Sequence, residues 1–366
     1  VLNDTAATAD NVDRWNDTAP TSTQFTVGTG VEVNTDTENY VAYLFADDDQ
    51  SFGAGGDESI IKCGSYEGTG VAGVTVSLGW EPQYVMVKCA DGIGSWWLFN
   101  IMQGIPTGGA DIFNYADSTS AELVTDWFEV NADGFSIPTT SVDVNRSGDT
   151  YIYIAIRRPM KVPEAGTEVF HLEGTLANDG NTPFYRSPFP DDFYFNKTKA
   201  GVGGWTAAAR LAGTNTMDFS STAAEVGSVW DFDFMDGVRD LVPSGNTSVI
   251  GYHFKRAPEF MDVVCYTGTG VARTLGHSLS VAPEMMIIKK RNAVGNWAVY
   301  HVGVGNTKGL YLDGISAEIT SPLFWDNTTP TSTVFSLGAG DPVNTTAASA
   351  IYIAYLFTTL DGVSKV

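Results

Sequence analysis

Cysteine and histidine, which supply many catalytic and metal-binding side chains, are scarce in this sequence. Its 366 residues include these cysteines and histidines: Cys63, Cys89, Cys265, His171, His253, His277 and His301. Three scattered cysteines are too few for a disulfide framework or a zinc site, so we expect free, buried thiols. The histidines have no partner motif, and no nucleophile elbow, His-Glu-x-x-His helix or phosphate loop occurs. The sequence therefore predicts no catalytic residue and a protein that is not an enzyme.

Basic residues are also few. Lysine and arginine total 20 against 43 aspartates and glutamates, which gives a formal net charge of −23. Such a field repels nucleic-acid phosphates and anionic lipid headgroups. No apolar run approaches the roughly 18 residues of a membrane-spanning helix, and no signal peptide is recognisable. We therefore expect neither nucleic-acid binding nor membrane insertion, and Val1 in place of methionine indicates a processed terminus or a chain boundary.

The acidic residues leave calcium as an open alternative. Three clusters contain neighbouring aspartates: residues 47–49, 191–192 and 231–236. Calcium favours carboxylate and carbonyl oxygens, and the last cluster is similar to a calcium loop. Its third acid is out of register, however, and no distal glutamate follows at the required spacing. We expect solvated turns at all three places, and therefore no metal ligand and no cofactor.

An internal repeat dominates what the sequence does contain. Residues 15–25 (WNDTAPTSTQF) nearly match residues 325–335 (WDNTTPTSTVF). An apolar run follows each copy, at residues 40–45 and 351–357. Two matches of this kind within one chain indicate tandem units of one architecture.

A second motif sets the length of the repeat. A Tyr-x-Gly-Thr-Gly sequence begins at Tyr66 and again at Tyr266. Two repeats therefore cover about 200 residues, or about 100 residues each. The first unit holds only the second half of a repeat plus an acidic linker, and the third is the most divergent. The predicted units are residues 1–59, 60–163, 164–261 and 262–366.

Short strand candidates separated by turns fill each complete unit. About seven strands per 100 residues, with few helix formers, indicate an all-β protein of tandem, jelly-roll-like β-sandwich repeats. The runs 40–45 and 351–357 are apolar on both faces, so a neighbouring unit must cover one face, which predicts a rod or a compact cluster. The half unit 1–59 would leave an open apolar face. We therefore expect an upstream segment or another subunit to complete it, and a homo-oligomer.

Tryptophans recur at related positions of the repeats. They are Trp15, Trp97, Trp127, Trp205, Trp230, Trp297 and Trp325. Recurrence in every unit favours packing over a role as glycan-binding platforms. The neighbours Trp96 and Trp97 are the exception, because adjacent strand residues face opposite sides and one of the two can be exposed. The sequence does not identify ligand-binding residues.

The last unit resembles a known family. Its characteristic stretches are residues 266–270, 281–285 (VAPEM), 289–291 (KKR), 295–301 (GNWAVYH), 325–333 and 362–366. This pattern is similar to a tandem domain of large tail-associated proteins of marine bacteriophages. The likeness is close in the last unit, the half unit and part of the second unit, and weak in the third. Because the family is largely uncharacterised, the resemblance implies a virion or tail-fibre context but neither a catalytic residue nor a ligand.

These observations predict a non-enzymatic phage virion protein, acting outside the cell as a tail-fibre, appendage or adhesin segment. Repeated units would raise avidity by multivalent display. Other virion subunits are the expected partners, with a host-surface glycan as a candidate ligand. The divergent third unit, including the loop at residues 174–188, is the candidate binding surface.

Two alternatives remain open from the sequence. One is a carbohydrate-binding or polysaccharide-depolymerising tailspike module, because the separation of paired carboxylates is spatial and cannot be read from sequence. The other is a purely structural capsid decoration or spacer protein.

Overall fold

The computed structural model describes residues 2, 4–47, 51–53, 56, 58–174, 183–199, 204–227, 229–241 and 249–366. These residues form an all-β structure with 8% helix, in which small antiparallel sheets are arranged as a five-bladed β-propeller. The predicted arrangement as tandem jelly-roll sandwiches is therefore wrong. The prediction failed because apolar faces of sheets from different repeats pack against one another in one large core, instead of each repeat enclosing its own core. No helix in the described ranges is long and apolar enough to cross a membrane.

The N-terminal segment, residues 4–47, contains one short helix, α1 (Val12–Trp15), and its described residues form no strand. The side chain of Asn11 caps the helix by accepting a hydrogen bond from the Asp13 amide. Asn16 ends it in the left-handed conformation, with φ of 53°.

Residues 60–163 form one large and one small antiparallel sheet. The large sheet has the order β1-β9-β3-β4-β5-β6 and the small sheet the order β2-β8-β7. A 3₁₀ turn (Ile101–Gln103) follows the fourth strand. The elements are β1 (Ile61–Glu67), β2 (Val74–Ser77), β3 (Pro82–Cys89), β4 (Trp96–Asn100), β5 (Asp111–Tyr115), β6 (Leu123–Thr125), β7 (Glu129–Asn131), β8 (Gly134–Ile137), α2 (Val142–Asn145) and β9 (Thr150–Arg157).

Residues 164–261 follow a similar plan with shorter strands. The sheet orders are β10-β17-β12-β13-β14 and β11-β16-β15. Two 3₁₀ turns occur, at Gly166–Glu168 and Arg210–Ala212. The strands are β10 (Phe170–Glu173), β11 (Tyr185–Arg186), β12 (Phe193–Thr198), β13 (Trp205–Ala209), β14 (Met217–Asp218), β15 (Trp230–Asp231), β16 (Gly237–Asp240) and β17 (Val249–Phe254).

The last repeat, residues 262–366, again has longer strands than the third repeat. Its sheets have the orders β18-β25-β20-β21-β22-β23 and β19-β24. A 3₁₀ turn (Ala347–Ser349) precedes the final strand. The elements are β18 (Met261–Thr267), β19 (Arg273–Gly276), β20 (Met285–Lys290), β21 (Ala298–His301), β22 (Lys308–Tyr311), β23 (Ile319–Thr320), α3 (Pro322–Trp325), β24 (Val334–Leu337), α4 (Asp341–Asn344) and β25 (Ile351–Phe357).

The last strand of each complete repeat lies in the interior of the large sheet. β25 is hydrogen-bonded to β18 on one side and to β20 on the other. Successive side chains of a strand face opposite sides. Tyr352 and Leu356 accordingly lie in the core of the last repeat, whereas Ile353 and Tyr355 join the core shared with the other repeats. A strand that is apolar on both faces is thereby covered on both faces.

The Tyr-x-Gly-Thr-Gly motif joins the two halves of a repeat. The Tyr66 hydroxyl donates to the carbonyl of Val144 at 2.8 Å, and the Thr69 amide donates to the side-chain oxygen of Asn145 at 2.8 Å. Only glycine fits between them, because a Cβ on Gly68 would lie 2.2 Å from a backbone oxygen. The motif is therefore a structural joint.

A buried ion cluster links three repeats. The guanidinium of Arg256 donates to both carboxylate oxygens of Glu81, at 2.8 and 2.6 Å, and to Asp262 at 2.8 Å. Arg158 approaches the same Asp262 oxygen at 3.4 Å. Burial would raise the pKa of Asp262, but the two guanidinium groups outweigh burial and lower that pKa to about 2. The chain thus holds its sheets together by a paired charge network as well as by apolar contacts.

Replacement of Arg256 by methionine should strongly destabilise the fold. The variant leaves the buried carboxylates of Glu81 and Asp262 short of a cation, and breaking a buried pair in this way costs about 3–5 kcal/mol of unfolding free energy. Urea unfolding at pH 7 measures the loss. Arg14→Ala is the matched control, because Arg14 pairs with an exposed Glu32 at 3.7 Å and should lose less than about 1 kcal/mol. Equal losses in both variants would contradict the role of the cluster.

Candidate functional site

An apolar cavity of about 780 Å³ lies between the third and fourth repeats. We call it the aromatic cleft. Its size and lining match those of pockets that hold small molecules, which are mostly apolar with a few polar groups at defined places. The lining residues are Phe193, Phe195, Trp205, Phe219, Ser220, Phe254, Phe260, Met285, Ile287, His301, Leu312, Phe357, Thr358, Ser364, Lys365 and Val366.

The third repeat supplies the aromatic wall of the cleft. Phe193 and Phe195 are two positions apart on β12 and therefore face the same side of the sheet. The Phe195 ring lies 6.0 Å from the ring of Trp205 and 5.4 Å from that of Phe219, between ring centroids. Phe254 on the neighbouring β17 lies 5.4 Å from Phe193. The sheet thus presents a continuous aromatic surface to the cleft.

The fourth repeat and the C-terminal tail form the opposite wall. Met285 and Ile287 project from one face of β20, and Phe357 ends β25. The tail is held in place because the Ser364 hydroxyl donates to the carbonyl of Thr358 at 2.8 Å. The cleft therefore depends on contact between two repeats.

Polar groups are few and lie among the apolar ones. The amide of Gly303 donates to His301 Nδ1 at 3.0 Å, so a neutral His301 carries its proton on Nε2 and can donate from there. Lys365 adds one positive charge, and Ser220 adds a hydroxyl. This arrangement suits recognition of a ligand that combines apolar faces with hydroxyl or anionic groups.

The tryptophans fall into two groups. Trp97, Trp230, Trp297 and Trp325 are buried, as the repeat pattern predicts. Other positions depart from a pure packing role: Trp205 and Trp127 are half-buried, and Trp15 is 57% exposed. Of the adjacent pair, Trp97 is buried and Trp96 is half-buried.

The acidic clusters mostly bind the protein's own cationic groups. Asp192 accepts from Arg210 Nε at 3.2 Å, and Asp231 pairs with Arg239 at 2.5 Å. Asp48 and Asp49 lie outside the described residues. No group of three or more histidine, cysteine, aspartate or glutamate side chains placed to hold a metal ion occurs among the residues that the structure describes. Asp191, Asp192 and Asp231 are thus paired inside the protein rather than placed in the expected solvated turns.

The cysteines are free, but they are not all buried as predicted. Cys89 is buried, Cys265 is half-buried and Cys63 is exposed. Partial burial, together with the nearby Asp47 carboxylate, raises the pKa of the Cys63 thiol. This shift disfavours the thiolate, which is the nucleophilic form of cysteine.

One histidine forms a buried pair inside the third repeat. His253 Nδ1 lies 2.7 Å from an Asp191 carboxylate oxygen, and its Nε2 lies 3.6 Å from Glu173. Burial lowers the pKa of His253, but the hydrogen bond to Asp191 and the nearby Glu173 carboxylate outweigh burial and raise the pKa to about 8. Because His253 is 0% exposed, the pair stabilises the repeat rather than meeting a substrate.

The stability of the protein should fall as pH rises through about 8. The folded protein keeps the His253 proton up to that pH, whereas an unfolded histidine releases it near pH 6.5. The stabilisation is fully present below about pH 6.5 and is lost as pH rises through the folded pKa. The urea midpoint should therefore fall more between pH 6.5 and 8.5 in the wild type than in His253→Asn. Equal slopes in the wild type and His253→Asn would contradict this pair.

Sequence reasoning did not locate the cleft. The repeat pattern drew attention to tryptophans, whereas most of the aromatic wall is phenylalanine from the divergent repeat. The alternation of Phe193 and Phe195, with Phe254 on another strand, is visible in the sequence. Their convergence with Met285 and Phe357 depends on how the two sheets meet.

The chain belongs to the family described as a domain of unknown function (DUF7483), which matches residues 1–158 and 257–366. Residues 159–256 lie outside this match, and they include most of the aromatic wall of the cleft. No curated protein matches the chain.

Proposed function

We propose that this chain is a bacteriophage virion protein, a tail-fibre or appendage segment, that binds a host-surface glycan in the aromatic cleft. The virion context rests on the resemblance of the last repeat to tail-associated phage proteins. The binding role rests on one observation, the aromatic cleft of about 780 Å³ between the third and fourth repeats.

The position of the cleft relative to the family match supports a specialised role. Residues matched by the family profile, 1–158 and 257–366, provide the surrounding framework. Phe193, Phe195, Trp205 and Phe219 come from the unmatched segment. A common framework that carries a divergent aromatic surface is the arrangement expected of proteins that share a fold and differ in ligand.

A glycan fits the chemistry of the cleft. The apolar faces of sugar rings can stack on the half-buried rings of Phe195 and Trp205, while sugar hydroxyls meet Ser220 and His301. The net charge of −23 disfavours nucleic acids and anionic membranes as ligands. Multivalent display on a virion would raise the avidity of weak single contacts. The role is therefore binding outside the cell, without a catalytic step.

The loop at residues 174–188 is a second candidate contact surface, suggested by its divergence in sequence. Residues 175–182 lie outside the described part of the chain. The cleft is the better target because its walls are defined by strands.

Trp205→Ala should weaken glycan binding while leaving the fold intact. Removing a central aromatic contact from a binding site costs about 2 kcal/mol, or roughly 30-fold in affinity. Saturable binding of the purified chain to polysaccharide from host envelopes measures the effect. Trp96→Ala is the matched control, since Trp96 is also half-buried but lies outside the cleft.

The other outcomes separate the alternatives. Unchanged binding by a folded Trp205→Ala variant would exclude the cleft as the binding site. Release of reducing ends from the polysaccharide would replace binding by depolymerase activity. Absence of binding to every host polysaccharide by the folded chain would favour a structural spacer or capsid decoration.

A further inference from the structure

The N-terminal segment exposes apolar side chains whose copies in the last repeat are buried. Trp15 is 57% exposed, whereas Trp325 is fully buried. Tyr43 is 82% exposed, whereas Tyr355 is fully buried. Side chains between residues 2 and 44 line an open cleft of about 1120 Å³. A contiguous exposed surface of this kind marks an interaction site.

Two local features of the segment match the complete repeat. The Tyr40 hydroxyl donates to the carbonyl of Val31 at 2.7 Å, and its copy Tyr352 donates to the carbonyl of Asp341 at 2.7 Å. In both places a one-turn helix ends at the tryptophan. The segment thus has the helix turn and the tyrosine contact of a complete repeat, but not its strands.

Asn34 lacks a hydrogen bond that its copies in the complete repeats make. Its copy Asn344 accepts a hydrogen bond from the Thr269 amide at 2.8 Å, and Asn145 accepts one from the Thr69 amide at 2.8 Å. Both threonines belong to a Tyr-x-Gly-Thr-Gly motif, and both asparagines are fully buried. Asn34 is exposed. The group that would cover it is therefore the amide of such a motif.

A comparison of strands identifies the other contacts that the N-terminal segment lacks. Residues 351–357 form β25, which is paired with β18 and β20. Residues 40–45 have the same apolar pattern but form no strand. They present unpaired backbone groups together with apolar side chains, which is a template for strand addition on both sides.

We propose that residues 11–45 are a docking surface for a polypeptide segment that carries a Tyr-x-Gly-Thr-Gly motif and two flanking strands of the kind that β18 and β20 form. The occupant inserts its strands on either side of residues 40–45 and its threonine amide against Asn34. A second copy of this chain is not the occupant. Its motifs at Tyr66 and Tyr266 are already bonded within their own repeats, to Val144 and Val343.

The test supplies the missing half from the chain itself. Trp15 and Trp325 are 310 positions apart, so residues 257–310 joined directly ahead of Val1 restore the spacing of a complete repeat. Hydrogen–deuterium exchange of residues 40–45 should slow by on the order of 100-fold relative to the unextended chain. In the extended chain Asn34→Ala should reduce this protection. Asp36→Ala, at an exposed neighbouring position, should retain it.

A second measurement does not depend on the folding of the extended chain. A peptide of residues 257–310, which contains β18, β20 and the residues that contact Trp325 in the last repeat, is titrated into the unextended protein. The emission of Trp15 is obtained by subtracting the spectrum of Trp15→Phe titrated with the same peptide. A saturable shift to shorter wavelength is expected as the indole becomes buried.

Three results would overturn the inference. One is unchanged exchange in a folded extended chain, and another is the absence of a saturable shift with the peptide. The third is protection of residues 40–45 that arises from self-association of the unextended protein, which would assign the surface to a second copy.

Discussion

The need to cover strands that are apolar on both faces governs this structure. The last strand of a complete repeat lies inside its large sheet, with one face in the core of its own repeat and the other against neighbouring repeats. Tyr355 is the clearest case, because it is fully buried and its ring lies 4.2 Å from that of Phe193 in the preceding repeat, between centroids. Removing such area from water is the main favourable contribution to folding. A repeat alone would leave this face exposed.

The same requirement explains the position of the ion cluster and of the aromatic cleft. Arg256 lies just beyond the end of β17, at the junction with the next repeat, where Glu81 from the second repeat and Asp262 from the fourth converge on it. The sheets of the third and fourth repeats also line the aromatic cleft, which lies between them. Packing between repeats thus produces both the ion cluster and the aromatic cleft.

Several features could be predicted because they depend on local sequence. The repeat length follows from the spacing of Tyr66 and Tyr266, and the all-β composition follows from short strands and frequent turns. Burial of Trp297 and Trp325 follows from their recurrence. The propeller arrangement could not be predicted in this way, since strand patterns report which faces are apolar but not which sheet will cover them. The pairing of Asp192 with Arg210 could not be predicted either. The two residues are brought together only by the pairing of adjacent strands.

The sequence by itself determined the repeats, the strands, the acidic surface and the motif that joins the two halves of each unit. These properties depend on residues that are close in the chain, such as the glycines that let the backbone of one half approach the other. Tertiary structure decided the propeller, the Arg256 cluster and the aromatic cleft. Each of these depends on contacts between residues from different repeats, such as the ring contact between Phe254 and Phe357 in the lining of the cleft. Their geometry is set by how the sheets pack against one another, which no local pattern specifies.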